Sequence, residues 1–523
     1  MRLADLLRDV PVLSARGDLT TQIRDVRDDS RAVAAGDLFV ALRGQTVDGH
    51  AYLEAAIERG AAALLVEDEA APGLDGFFGP VVRVASTAHT LGLVAANRFG
   101  RPGDAMTLVG VTGTNGKTTL TFLAEALCRA AGGAPGVIGT VTYRWGGASR
   151  PAPFTTPTPI QLHETFAAMR EAGTTHVAME CSSHALALGR LAGVRYAVAA
   201  FTNLTQDHLD FHGTMEAYRD AKALLFRDHL APGGAAVVYS DRPYGEHMAS
   251  VAAAAGARLL RVSTRAAAVA EVHVVPGTTP SFSIDGISAE LATPAGRLSL
   301  RSPLIGEFNL ENLVVAVGIG LGLGLGPEAI AAALRDERGA PGRLDRASDP
   351  GAPFGVFVDY AHTPDALERV MAALRPVVPP GKRLIVVFGC GGDRDRTKRP
   401  LMGRAVARDA ELAIVTSDNP RTEDPQSILD MILDGVHQEP CPALTADAAT
   451  LATAARGHVA LVDRREAIRL AVAAARPGDV VVIAGKGHED YQILGKTKVP
   501  FDDRAIAREE LQKVALSSKS PHD

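Results

Sequence analysis

Four cysteines in 523 residues, Cys128, Cys181, Cys390 and Cys441, lie far apart and form no CxxC pair. That excludes a disulfide scaffold and a zinc ribbon, and it suits a reducing compartment. Long apolar runs are scarce too. The most apolar stretch, 313–326, is shorter than the ~20 residues needed to span a bilayer, and it carries glycine at every second position from Gly318. The first residues mix apolar and charged side chains and contain no signal-peptide core. Positive charge is not in excess: 54 Lys and Arg against 60 Asp and Glu leave a net charge of −6, which excludes a globally basic nucleic-acid binder but not a local basic patch. No repeat of solenoid period is present. Two tempting His-Glu pairs, His163-Glu164 and His488-Glu489, have Ala167 and Gln492 where a zinc protease needs its second histidine. What remains is expected to be a cytoplasmic enzyme, with no membrane insertion and no nucleic-acid partner.

A composition of 46% hydrophobic and 22% charged residues gives enough chain for several cores, and ~150 residues per domain suggests about three. Pro/Gly-rich joints at 97–104 and 339–351 divide the chain into 1–104, 105–340 and 341–523. In the last third, apolar runs at 354–359, 384–389, 412–417 and 480–485 alternate with helical patterns at 364–374, 401–408, 427–436 and 465–475. Strands alternating with helices predict βαβ units and a parallel sheet. The middle third starts the same way, with a strand at 107–111 and a helix presenting Leu120, Leu123, Ala124 and Leu127 on one face. Residues 259–300 read instead as short strands, an antiparallel edge. The fold class expected is α/β, with a central P-loop-type, mostly parallel sheet and a C-terminal Rossmann-like domain.

Between that first strand and helix lies Gly110-Val111-Thr112-Gly113-Thr114-Asn115-Gly116-Lys117-Thr118-Thr119. Glycines let backbone N–H groups close around phosphate oxygens, and the helix N-terminus adds partial positive charge. Lys117 can reach the outer phosphates, and the Thr118 hydroxyl can bind Mg²⁺. The strict pattern wants glycine where Val111 stands, so the loop is a variant. A glycine-rich turn with a solvated lysine is the plain alternative, but the strand before and the helix after favour a phosphate loop. Two further groups follow apolar runs in order: Glu180, ending 176–180, and His208, after a strand at 198–201. Carboxylates and imidazoles at strand C-termini are where a metal-assisted phosphoryl transfer needs them.

The variant loop TGTNGKTT resembles that of the Mur ligases and their folylpolyglutamate synthetase relatives, ATP-dependent enzymes that form amide bonds through an acyl phosphate. The folate branch usually has Gly-Ser after the lysine, so Thr118-Thr119 favours the Mur branch. The resemblance covers nearly the whole chain. It implies that Gly113, Thr114, Asn115, Gly116, Lys117, Thr118 and Thr119 cradle ATP, with Asn309 and Asn312 at the adenine. Arg343, Asp359 and His362 close onto the nucleotide from the C-terminal domain. Lys117, Glu180, His208 and Lys222 are the implied catalytic group. Thr118, Glu180, His208 and a carbamylated Lys222 hold what should be two Mg²⁺ ions. Spacing alone would make Lys222 an exposed or paired lysine; its role rests on the match of Ala221-Lys222-Ala223-Leu224-Leu225-Phe226 to a family segment.

Within the family, the N-terminal segments around Ser30 and Gln45-Thr46-Val47 resemble a uridine-nucleotide site, while Thr155, Thr156, Ser182, Leu188 and Arg190 resemble residues that hold a UDP-muramyl dipeptide. The amino-acid site is implied by three loops after predicted strands: 389–400 with Arg394, 417–423 with Asp418-Asn419-Pro420-Arg421, and 485–490 with Gly485 and Glu489. The Asp-Asn-Pro-Arg run resembles the feature that separates diaminopimelate-adding from lysine-adding members. An arginine fork can grip a distal carboxylate that lysine lacks. A lysine-adding ligase and a nucleotide-binding module without catalysis stay open as alternatives. The chain is expected to work as a monomer on small-molecule substrates. Cys181 stands where valine is frequent in relatives and should be a buried small hydrophobe.

Overall fold

The structure, a computed structural model, describes residues 1–44, 47–74, 76–266 and 269–518. By compactness the chain forms two units: Met1–His273 with Val314–Ile330, and Val274–Leu313 with Ala331–Asp523. The helix Glu307–Gly322 is shared between them.

The first unit contains two sheets. Strands β1 (Val12–Arg16), β2 (Val26–Arg27), β3 (Leu38–Val40), β4 (Ala63–Val66) and β5 (Val81–Val84) form one, in the order β1-β5-β4-β3-β2, parallel except for β1. The second holds β6 (Thr107–Thr112), β7 (Pro135–Ile138), β8 (Thr142–Trp145), β9 (Ala148–Pro151), β10 (His176–Glu180), β11 (Tyr196–Phe201), β12 (Leu230–Tyr239) and β13 (Arg258–Val262). Their order is β13-β12-β11-β6-β10-β7-β8-β9, with six parallel strands and an antiparallel ribbon at one edge. The strands buried on both faces are β-branched or alanine-rich, as parallel strands covered by helices require. Helix Lys117–Ala130 buries Leu120, Leu123, Ala124 and Leu127, the face expected.

The alternating glycines serve close packing. A Cβ at Gly318 would strike Val237 and crowd Val262, and one at Gly322 would crowd Val198 and Ala235, so the helix lies directly on β11, β12 and β13.

The second unit, from Val274 on, has a small sheet of β14 (His273–Val274), β15 (Ser281–Ser283), β16 (Gly286–Thr293) and β17 (Gly296–Ser302), in which β16 pairs antiparallel with β15 and β17 and also neighbours β14. This corrects the expected antiparallel edge: these strands form their own sheet, while β13, the first run of that region, joins the larger sheet in parallel. The main sheet of this unit contains β18 (Asp345–Arg346), β19 (Gly355–Asp359), β20 (Leu384–Phe388), β21 (Leu412–Thr416), β22 (Gly457–Leu461) and β23 (Val480–Ala484), ordered β18-β19-β23-β20-β21-β22 and parallel except for β18. A hairpin of β24 (Tyr491–Leu494) and β25 (Thr497–Pro500) follows. Helix Pro364–Leu374 begins where Thr363 caps it and Pro364 occupies the first turn. Among the described residues no helix is long and apolar enough to cross a membrane.

Candidate functional site

Strand β6 lies between β10 and β11, and Val111 pairs with Glu180 on one side and Ala200 on the other. The chain runs from β6 to one side of the sheet and returns to the other, so the crevice at these strand ends is a topological switch point, the usual ligand position in such sheets. The phosphate loop, Glu180 and the segment after β11 all emerge there.

The loop is laced to the end of β11. Thr114 N donates to Asn203 O at 2.9 Å, Asn115 N to Asn203 Oδ1 at 3.0 Å, and Thr202 Oγ1 to Asn115 O at 2.6 Å. Gly113 has φ +151°, and a Cβ there would collide with Thr202 Oγ1, so only glycine fits. Lys117 Nζ donates to the carbonyls of Gly113 and Thr114, both at 2.9 Å, folding its side chain over its own loop.

The Glu180 carboxylate, 1% exposed, receives three hydrogen bonds: Thr140 N at 2.8 Å, Thr140 Oγ1 at 3.1 Å and Thr118 Oγ1 at 3.2 Å. Its own carbonyl accepts from Thr156 Oγ1 at 2.8 Å, and Thr156 Oγ1 accepts from Ser182 N at 3.0 Å. Thr155 Oγ1 lies 3.1 Å from Thr140 Oγ1, and Arg190 donates to Thr156 O at 3.4 Å with its guanidinium near the ring of Phe154. Leu188 ends the short helix Ser183–Ala187. Thr118, Glu180, Thr155, Thr156, Ser182 and Arg190 thus form one connected patch.

Lys222 is 1% exposed and donates to Gly113 O at 2.8 Å, with its ammonium 4.4 Å from the centroid of the Tyr218 ring. Burial, then the charge of Lys117, push its pKa well below the usual lysine value. His208 is exposed in the left-handed region at φ +52°, edge-on to His184 at 4.8 Å and to Tyr218 at 6.1 Å. Among the described residues no three His, Cys, Asp or Glu side chains converge as a metal-binding group. A Mg²⁺ ion bound to nucleotide phosphates draws most of its ligands from phosphate and water, so a hydroxyl beside a buried carboxylate is a fitting protein share.

In the second unit, the loops after β20, β21 and β23 interlock. Arg421, at φ +51°, donates from Nη1 to Gly392 O at 2.8 Å, and its guanidinium forms no ion pair among the described residues. Asp393 accepts from Thr422 N and Oγ1, while Glu423 accepts from Asp393 N and from the fully buried Arg399. A Cβ on Gly392 would enter the Pro420 carbonyl. Arg394 is exposed on the same loop. Asn419 Nδ2 donates to Glu489 Oε2 at 3.0 Å. Gly485 N donates to Asp359 O at 3.0 Å, and the Asp359 carboxylate accepts from Leu344 N and Ala361 N, both at 2.8 Å; its pKa is raised by burial. Arg343 stacks its guanidinium 5.0 Å from the Tyr360 ring, and His362 Nδ1 lies 2.7 Å from Tyr360 O. Asn309 and Asn312 are buried and bonded to each other at 2.9 Å.

Residues 22–99 match the Mur ligase family catalytic domain, 111–320 the Mur ligase middle domain, and 342–487 the Mur ligase glutamate ligase domain. A UDP-N-acetylmuramoyl-L-alanyl-D-glutamate--2,6-diaminopimelate ligase from Geobacter metallireducens is 45% identical over 96% of this chain and 97% of its own. The protein of the same name from Gloeobacter violaceus is 46% identical over 98% of both chains. A solved structure of a ligase of that name superposes with a TM-score of 0.72 at 32% identity, covering 98% of this chain and 99% of the other.

The chain belongs to the Mur ligase family.

A Mur ligase is an ATP-dependent amide-forming enzyme, and the cradle at β6 is where that requirement becomes visible in this one. Of the residues expected at the site, Gln45 and Thr46 lie outside the described residues; Ser30 is half-buried and Val47 exposed in the first unit. Two further side chains of this Mur ligase touch the cradle and went unread in the sequence. Thr140 supplies two of the three bonds to Glu180, and Tyr218 Oη lies 3.2 Å from Thr114 Oγ1 while its ring faces Lys222. Tyr218 had a legible signal, standing one helical turn before Lys222 on the same face. Thr140, one residue after a glycine at a strand end, had none. Cys181 is fully buried as expected, with Sγ 3.3 Å from Tyr196 Oη.

Proposed function

We propose that this chain is the ligase that joins meso-diaminopimelate to UDP-N-acetylmuramoyl-L-alanyl-D-glutamate, using ATP and releasing ADP and phosphate, in peptidoglycan precursor synthesis. The observation that carries the choice of amino acid is Arg421: half-buried, pinned by the Gly392 carbonyl, and in no ion pair with a carboxylate among the described residues. Such a guanidinium suits the distal carboxylate of diaminopimelate and leaves L-lysine with nothing to offer it.

In this reading residues 1–104 bind the uridine nucleotide, 105–340 bind ATP, and 341–523 bind the amino acid. Ser30, Gln45, Thr46 and Val47 receive the nucleotide sugar. Thr155, Thr156, Ser182, Leu188 and Arg190 hold the dipeptide so that its D-glutamate γ-carboxylate faces the cradle. Gly113 to Thr119 hold the ATP phosphates through backbone N–H groups, and Lys117 turns from its loop carbonyls to the outer phosphates. Asn309 and Asn312 take the adenine, and Arg343, Asp359 and His362 complete the nucleotide site. Thr118, Glu180, His208 and Lys222 would hold Mg²⁺, which when bound neutralises phosphate charge during transfer. The lowered pKa of buried Lys222 favours the free amine, which can add CO₂ and lose a proton to become an anionic carbamate. The γ-carboxylate displaces ADP to form an acyl phosphate; the diaminopimelate amine then displaces phosphate. Arg394 and Arg421 orient the amino acid by its carboxylates, while Glu489 and the Gly485 carbonyl accept from its ammonium group, with Asp418, Asn419 and Pro420 shaping the loop. In this proposal the enzyme works in the cytoplasm, where ATP and UDP-linked substrates are made, and as a monomer.

The deciding experiment is amino-acid-dependent phosphate release with UDP-muramyl dipeptide. Turnover with meso-diaminopimelate and little with L-lysine is expected. Preference for lysine overturns the choice of amino acid, and silence with every diamino acid overturns the enzyme.

A further inference from the structure

Beneath the loop that carries Arg421 lies a cation that the reaction does not use. Lys486 is fully buried, although lysine almost never is without partners. Its Nζ donates to Asn419 Oδ1 at 2.9 Å and to the Tyr491 carbonyl at 2.8 Å, and it lies 3.3 Å from Asp418 Oδ1 and 3.7 Å from Glu489 Oε2. One ammonium group therefore touches the Asp-Asn-Pro-Arg loop, the loop after β23 and the start of the β24–β25 hairpin.

The hairpin carries that connection on to Arg421. Ile493 N donates to Asn419 Oδ1 at 3.0 Å, Arg421 N to Ile493 O at 3.0 Å, and Gly495 N to Arg421 O at 2.8 Å. Gln492, itself buried, donates from Nε2 to Asp418 O at 2.7 Å. Arg421 is thus held by its main chain as though it were one residue of a third strand, in a left-handed conformation that a bulky residue adopts only when its surroundings fix it. Asn419 is fixed as well: its amide oxygen faces Lys486 and Ile493, and its amide nitrogen faces Glu489.

We infer that Lys486 is a positioning residue that sets Glu489 and Arg421 in the arrangement that selects a diamino acid with a distal carboxylate; this rests on reading these loops as the amino-acid site. Removing its charge takes away the cation that lies 3.3 Å from buried Asp418 and 3.7 Å from half-buried Glu489, leaving Arg464, which is held by Asp503, as a remaining positive charge felt by both. Asn419 then loses the donor that fixes its carbonyl side, and Glu489 loses its fixed aim. Lys486 itself touches no reacting atom, so its loss should change which amino acid is accepted and how tightly, more than the phosphoryl chemistry.

The test uses the full chain with Lys486→Met, which keeps the volume and removes the charge. The expected result is a KM for meso-diaminopimelate raised at least tenfold, KM for ATP and for UDP-muramyl dipeptide within twofold of the wild type, and a diaminopimelate-over-lysine ratio of kcat/KM reduced at least tenfold. An unchanged KM for diaminopimelate overturns the inference, as does a parallel rise of all three KM values with a lowered melting temperature. If Lys486→Met does not fold, Lys486→Gln, which removes the charge and keeps a donor for Asn419 Oδ1 and the Tyr491 carbonyl, takes its place; it should raise the same KM at least threefold, and an unchanged value overturns the inference. A wild type that prefers another amino acid overturns the functional reading alone, and the same KM comparison is then made with that amino acid. A wild type silent with all of them overturns both.

Discussion

Lys117 and Lys222 direct their ammonium groups at one acceptor, the carbonyl oxygen of Gly113, at 2.9 and 2.8 Å. Burial first, and then repulsion by the second cation on the same oxygen, push the pKa of Lys222 well below the lysine range. Lys222→Met keeps the bulk of the side chain and removes the amine. It should lower kcat at least a hundredfold while the urea midpoint stays near the wild type, checked by phosphate release and urea unfolding. The intact protein in bicarbonate should show the mass of one added CO₂ at Lys222, absent from the variant.

Arg421→Ala should raise KM for meso-diaminopimelate at least tenfold and leave KM for ATP unchanged. Arg421→Lys should fall between the two, because an ammonium cannot form the paired bonds of a guanidinium. Steady-state kinetics with each substrate varied in turn checks both. Arg421→Ala activity on L-lysine should hold steady or rise.

Thr140→Val removes the hydroxyl that donates to Glu180 Oε2 and keeps the backbone donor. Groups that orient a ligand from behind typically alter metal affinity by about 10- to 100-fold. The Mg²⁺ concentration giving half-maximal activity should therefore rise by about tenfold, measured by titrating Mg²⁺ at saturating ATP. Stripping Mg²⁺ with a chelator should abolish turnover, and adding it back should restore it.

Much of the cradle can be read from the residues. Strand β10 runs from His176 to Glu180 as its apolar pattern states, with Glu180 at its C-terminal end, where the sequence placed it, although the carboxylate is itself buried. Helix Pro364–Leu374 has both of its ends written locally, in the Thr363 cap and the proline after it. Helix Lys398–Asp409 starts three residues before its apolar pattern does, because Arg399 is buried through its pairing with Glu423 and not through hydrophobicity. Spatial order is a different matter. Nothing in the sequence says that β6 lies between β10 and β11, since that order follows from packing between distant strands. The N-terminal sheet escapes for a related reason: β2 and β3 are two and three residues long, too short for a period to show.

His163, in helix Pro159–Glu171, is 1% exposed, and burial pushes its pKa from 6.5 down to about 4. A histidine held neutral in the folded state gains no proton as pH drops from 6.5 to about 4, while the unfolded chain does. Stability present above pH 6.5 is thus lost progressively down to pH 4, by about 3 kcal/mol for this one side chain. His163→Leu should remove that part of the acid sensitivity. Urea midpoints between pH 7.5 and 4.5 should fall less steeply for the variant.

Asp479 and Arg383 pair inside the second unit, 1% and 4% exposed at their side chains, with Arg383 also donating to the carbonyls of Leu451, Ala454 and Ala474. Asp479→Ala leaves a buried guanidinium without its counter-charge and should cost about 3–5 kcal/mol of stability. Arg383→Met in the same background should recover part of that loss, measured by urea unfolding of the single and double variants.

The lacing of the phosphate loop to Thr202 and Asn203 bears on the entropy of binding. Because Thr114 and Asn115 are already tied down and Gly113 has no room to relax, the order of the cradle is set when β11 docks beside β6. Nucleotide therefore meets a preorganised surface, and the binding free energy is spared the freezing of a floppy glycine loop. Loosening the lacing at Thr202 would weaken ATP through a slower, more costly ordering step, with every phosphate contact still chemically intact.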